Sequence, residues 1–167
     1  MCIRDSIWGL SINIGNHGVY LFPEFQLGNS YKADYLLVGK SSGGYEFIFI
    51  ELESPYGNIT LKDGQLGAEF RDGISQLEDW KRWLPANYSS FGEIMRKHKN
   101  SARDLPEEFY ILDMSRFHYV VISGRRSDFQ DKTYIIKRER KKADDIDIIH
   151  YDNLYDFSNN LIGKLTY

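Results

Sequence analysis

The chain has 167 residues, a formal charge of -3 and 42% apolar residues, the size and balance of one globular domain with a sizeable core. That charge excludes a histone-like coat of bases, although local patches rather than the total govern docking to nucleic acid. One cysteine, Cys2, forbids an internal disulfide or a cysteine zinc cluster, and neither an 18-residue apolar run nor a signal-peptide pattern occurs, so the expectation is a cytoplasmic protein with no membrane span.

Met1 to Ser6 connects to nothing that follows. Residues 1–21 therefore read as a partial N-terminal segment, truncation being one account of it, ahead of a domain at 22–167. Ile12, Ile14, Val19, Tyr20 and Phe22 predict one or two short strands, broken by the turn sequence Gly15-Asn16-His17-Gly18. Glu24 reads as a solvated loop acid.

The most informative stretch is next. Tyr35 to Val38 and Phe47 to Leu52 are rich in aromatic and branched residues, and Ser41-Ser42-Gly43-Gly44 between them is turn chemistry, which predicts a hairpin. Folding about Ser42-Gly43 places Asp34 opposite the Ile50-Glu51 region. Glu51 and Glu53, two apart on one strand, leave the same face. Three carboxylates thus converge at the open end of the hairpin, and a hard cation is the usual remedy for their repulsion.

Ser54-Pro55-Tyr56-Gly57-Asn58 ends the strand. Leu66, Phe70, Ile74, Leu77 and Leu84 recur at helical spacing, predicting a helix from Asp63 or Gly64 to Leu84, with Gln76 and Trp80 on one side of it. Pro85, Asn87 and Ser89-Ser90 read as a loop, Phe91 to Lys99 as a short helix, and Ser101 to Pro106 as another break. Phe117 to Ser123 is a buried strand stopped by Gly124-Arg125-Arg126. Ser127 or Asp128 caps a helix through Lys132 to Ala143. Ile146 to Tyr151 is a last strand, and Asp152 begins a terminal helix carrying Leu154, Phe157 and Leu161. Strands and helices in this order make an α/β domain.

Other motifs are sparse. Arg125-Arg126, Arg96 to Lys99, and Lys137 to Lys142 are basic clusters that read first as solvated faces. No histidine has zinc spacing or a nucleophile partner; His17 and His150 read as loop and strand-end residues and His118 as a strand residue with a satisfied ring. No glycine-rich nucleotide loop is present.

Asp34 beginning one strand and Glu51-Leu52-Glu53 ending the next resemble the metal-binding signature of the restriction-endonuclease-like PD-(D/E)XK superfamily. FIELESP, GISQLEDWKRWL, FHYVVISGRR and IIHYDNLYDF, in that order, resemble the nuclease domain of the Shedu antiphage defence family over roughly Phe22 to Leu161. The resemblance implies a restriction-endonuclease-like core, with a mixed central sheet, an acidic hairpin and flanking helices. It also implies a DNA endonuclease dependent on Mg²⁺ or Mn²⁺ and a homo-oligomer. Asp34, Glu51, the carbonyl of Leu52 and Glu53 would be the metal ligands, with Asp34, Glu51, Glu53 and Gln76 catalytic. Arg125, Arg126 and Lys62 would meet DNA, Arg125 foremost because it lies in the family-like GRR.

Glu53 departs from the superfamily, which mostly has lysine there. A second-metal ligand, a general base, or a site that has lost activity are the readings, with Lys62, Lys32 or Lys40 as displaced cations. The alternative function is an inactive nucleic-acid or protein binding module on the same fold.

Overall fold

A computed structural model of the chain describes residues 19–100, 102 and 104–161. The predicted strand positions Ile12 and Ile14, the turn Gly15 to Gly18, and Cys2 lie outside the described residues, as does most of the segment 1–21. Five strands form one sheet in the order β1-β2-β3-β4-β5: β1 (Tyr20–Leu27), β2 (Tyr31–Ser41), β3 (Gly44–Leu52), β4 (Phe117–Ile122) and β5 (Ile146–Ile149). The first three run antiparallel, and β3, β4 and β5 run parallel. Four α-helices accompany them among the described residues: α1 (Ala68–Ala86), α2 (Tyr88–His98), α3 (Asp131–Asp144) and α4 (Tyr151–Leu161). The predicted α/β class and mixed sheet are both present.

The hairpin closes as its turn chemistry predicts. Ser41 pairs with Gly44 and Tyr35 with Ile50, so only Ser42-Gly43 turns the chain, and Gly44 takes φ +121°, which suits glycine. β3 and β4 read as unbroken apolar runs because both faces of the sheet are covered. Phe47, Phe49, Tyr119 and Val121 face Phe70, Leu77 and Trp80 of α1 and Phe91 of α2. Ile48, Ile50, Val120 and Ile122 face the other way, with Leu154 of α4.

Several boundaries differ from the sequence reading. α1 starts at Ala68 rather than at Asp63 or Gly64. The residues before it form a closed loop: the Leu61 N–H donates to the Gln65 carbonyl at 2.8 Å, and Gly64 sits at φ +79°. α1 also continues past Pro85, and the predicted loop at Pro85 to Ser90 shrinks to Asn87, the C-cap of α1 and the N-cap of α2. Pro85 lies in the last turn, where a missing N–H disrupts little of the helix ahead of it. α3 is capped by Gln130, whose N–H donates to Thr133 Oγ1 at 3.2 Å; the predicted caps Ser127 and Asp128 instead lie in a short 3₁₀ turn. β5 ends at Ile149, and Tyr151 opens α4.

Two glycines set how closely the layers approach. A Cβ on Gly73 of α1 would stand 2.6 Å from Val121 Cγ2 and 2.9 Å from Glu53 Cγ, so the helix lies directly on the ends of β3 and β4. A Cβ on Gly67 would stand 2.0 Å from the Asn58 carbonyl oxygen.

Candidate active site

Period-2 alternation along β3 carries the α1-facing side from Phe47 and Phe49 to Glu51. Glu51 therefore emerges beneath α1 where the parallel strands end, the place where open α/β sheets bind ligands. Asp34 is the next residue beyond the Tyr35–Ile50 pair, opposite Glu51 as the hairpin geometry predicts. Asp34 is the fourth residue of β2 rather than its first, and its Oδ2 accepts a 2.8 Å hydrogen bond from the Leu52 N–H, which ties the first half of β2 to the end of β3.

Glu51 is 8% exposed, and its Oε2 is buried with no hydrogen-bond partner. Burial first, then the charges of Asp34 and Glu53, push its carboxyl up to about 8. Burial raises Glu53 as well, followed by the carboxylates of Glu69 and Asp72. The Gln76 amide offsets both rises and donates from Nε2 to Glu53 Oε1 at 3.3 Å. The Glu53 backbone is held on two sides: its N–H donates to the Ile122 carbonyl, and the Tyr151 hydroxyl donates to its own carbonyl, both at 2.8 Å. Asp34, Glu51, Leu52, Glu53 and Gln76 are thus brought together.

Among the described residues, no group of three His, Cys, Asp or Glu side chains stands ready as a metal cage. The donor set nonetheless suits a hard cation. Glu51 Oε2 lacks any proton donor, and burial together with the charges of Asp34 and Glu53 opposes its ionisation.

The candidate cations separate clearly. Lys32, two residues before Asp34 on β2, has the charge that reaches Glu51 and favours its ionisation, and it pairs with Glu24 at 3.0 Å. Glu24 is itself a strand residue in left-handed conformation at φ +47°, rather than part of a loop. Lys40 lies at the closed end of the hairpin over the Tyr45 ring. Lys62 is exposed on the loop that docks against Gln130. Arg125 and Arg126 follow β4 and pair with Asp152 and Asp156 of α4. Arg140 and Lys141 likewise engage Glu78, Asp144, Asp145 and Asp147, and Trp80 is fully buried.

Sequence reasoning missed Glu69, Asp72 and Tyr151 at this site. Residues 69, 72, 73 and 76 follow the three-and-four spacing of one helix face, a signal in reach once that face is anchored on Gln76. Tyr151 was hidden by its placement in a strand.

At the opposite end of the strands, His118 bridges Glu46 Oε2 at 3.0 Å and Asp145 Oδ2 at 2.9 Å, as its predicted satisfied ring implies. Burial pulls its pKa down, but the hydrogen bonds that the ring donates to Asp145 and Glu46 outweigh this and leave it above the ordinary 6.5. A raised histidine stabilises the fold fully below the unfolded value and loses that effect as pH rises through the folded one. Native protein should therefore exceed His118→Gln in stability by about 1.5–3 kcal/mol at pH 6, and the gap should narrow by pH 9. Urea denaturation at both pH values checks this, and a gap that widens with pH would contradict it.

The fold and site together define an α/β domain with a cluster of carboxylates at the ends of its parallel strands. The family model described as Shedu protein SduA, C-terminal, matches residues 7–155. The chain belongs to that family, which implies a part in antiphage defence. Comparison with curated proteins returns no match. Among the described residues no helix is long and apolar enough to cross a membrane.

Proposed function

We propose that this domain is a DNA endonuclease of antiphage defence, dependent on Mg²⁺ or Mn²⁺, built on a restriction-endonuclease-like core. The observation that carries the reading is Glu51: a buried carboxylate with an orphan oxygen, placed by the hairpin register beside Asp34. Asp34 and Glu51 would hold the ion, with the Leu52 carbonyl and Glu53 as further ligands. Such an ion stabilises charge on a phosphodiester and makes water a better nucleophile.

The chain's own residues supply the remaining steps. Glu53 is raised above its ordinary range by burial and neighbouring acids, which brings it nearer the basicity that proton abstraction from water needs at neutral pH. Gln76 holds the Glu53 carboxylate, and the Tyr151 hydroxyl fixes its backbone. Lys32 is the cation nearest in effect to the lysine that this superfamily usually carries at the position of Glu53. Arg125, Arg126 and Lys62 are the candidate phosphate contacts. The setting proposed is the cytoplasm, with DNA as partner and a homo-oligomer as the assembly.

The glutamate at position 53 also favours a second reading, an inactive binding module that has lost the lysine. Linear and circular DNA incubated with Mg²⁺ or Mn²⁺ separates the two. Cutting by the native chain should fall by about 10³-fold in Asp34→Ala and in Glu51→Ala. DNA binding without cutting would favour the module, and Glu53→Lys would then be the variant to assay for cleavage.

A further inference from the structure

We propose that Arg125 and Arg126 form a phosphate-binding fork that α4 keeps closed with its own carboxylates, so that a DNA phosphodiester docks by displacing Asp152 and Asp156. This rests on the DNA-directed reading above and deepens it by naming how that surface is regulated.

Asp152 is held as an oxyanion ligand would be. Arg125 donates from Nη2 to Asp152 Oδ1 at 2.5 Å and from Nε to Oδ2 at 3.0 Å, and the Arg126 backbone N–H donates to the same Oδ2 at 2.7 Å. Three N–H groups thus converge on one carboxylate, and a planar guanidinium fork matches phosphate oxygens as well as carboxylate oxygens. Arg126 Nη2 bonds Asp156, one turn further along the same face of α4.

The fork's backbone does not depend on those acids alone. Gly124 takes φ +67°, and a Cβ there would stand 2.3 Å from Ile59 Cγ2. Its N–H donates to the Ser54 carbonyl, its carbonyl accepts from the Tyr151 N–H, and the Arg125 N–H donates to Asp128 Oδ2 at 2.7 Å. Ser54 is also held by the buried Ser123 hydroxyl at 2.9 Å, and Ser54 follows Glu53 directly. The arginines are therefore mounted on the backbone that carries the acidic site.

The guanidinium groups are open to solvent, with side-chain exposures of 45% for Arg125 and 57% for Arg126. Asp156 is 41% exposed, so its pair with Arg126 is the weakly held one, whereas Asp152, 23% exposed and gripped by three N–H groups, is the firmer latch. A phosphate therefore displaces Asp156 first, and it replaces Asp152 by offering the same fork an equivalent pair of oxygens. Closed, the fork offers DNA almost no net charge beside a cluster of carboxylates; open, it offers two guanidinium groups. Tyr56, 69% exposed, meets Arg125 through its hydroxyl at the same edge.

The test is binding of a fluorescent DNA duplex in EDTA, which removes cleavage. The double variant Asp152→Asn/Asp156→Asn should bind about tenfold tighter than the native chain at low salt. Its plot of log affinity against log salt should steepen by about 1–2. Adding Arg125→Ala should remove most of the gain. Asp156→Asn alone, which leaves the first turn of α4 intact, should give a smaller change of the same sign, and thermal melting confirms that each variant is folded. Equal or weaker binding by the folded acid variants would mean that Asp152 and Asp156 merely position the arginines, and the closed fork would be wrong. Unchanged affinity with native cleavage intact sinks the fork alone; tighter binding by a protein that never cuts sinks the nuclease reading alone. No binding by any of these proteins at any salt overturns both.

Discussion

Glu51→Gln is expected to make the metal-free protein more stable at pH 8.5 while changing it little at pH 4. The Glu51 carboxyl is pushed up to about 8 from an ordinary 4.5, because burial and the charges of Asp34 and Glu53 all oppose its ionisation. The folded state therefore holds a proton that the unfolded state has released across that interval, and stability falls as pH rises through it. At about 1.4 kcal/mol for each pH unit, the native chain should lose on the order of 4 kcal/mol between pH 4 and pH 9 through this group. Glutamine does not ionise, so the variant should not show that decline. Urea denaturation in EDTA across the range gives the comparison. Parallel stability profiles for the two proteins would mean that Glu51 ionises freely in the fold.

A divalent cation should reverse that penalty. With Mn²⁺ at about 100 times its dissociation constant, binding to the folded state alone stabilises by about 2.7 kcal/mol. For a domain of this size, that raises the melting temperature by roughly 5–10 °C. Asp34→Ala should abolish the rise, since it removes a carboxylate opposite Glu51. It should also lower the baseline by about 1 kcal/mol, because the Leu52 N–H loses its acceptor. Glu51→Gln should abolish the rise without that loss. A shift that persists in both variants would place the cation elsewhere on the protein and remove the argument for a hairpin site. The readout is thermal, so it does not depend on whether the loaded protein cuts DNA.

Much of the site could be read before the fold. The turn at Ser42-Gly43 sets the register of an antiparallel pair, and register alone puts Asp34 across from Glu51. Alternation then places Glu51 and Glu53 on one face. Helical spacing put Gln76 on α1, whose approach to β3 requires the glycine at position 73. Boundaries were less legible. The α1 start was misplaced because Asp63, Gly64 and Gln65 suit a helix opening, whereas their backbone bonds close a loop instead. Pro85 and Ser89-Ser90 carry the composition of a loop, yet buried Leu84 and Phe91 anchor helices on either side of Asn87.

The sequence by itself determined the α/β order of elements, the hairpin, and the family, because turn residues, strand alternation and segment order are local properties of the chain. Only the tertiary structure decided how readily Glu51 and Glu53 ionise and which acids answer Arg125 and Arg126. Glu51 acquires its raised pKa from burial under α1, and Glu53 from burial and from Glu69 and Asp72 on that helix. Arg125 and Arg126, an open basic pair on paper, are answered by Asp152 and Asp156 from another element. Desolvation and ion pairing depend on which distant segments meet, and that follows from packing the parallel strands and their crossover helices.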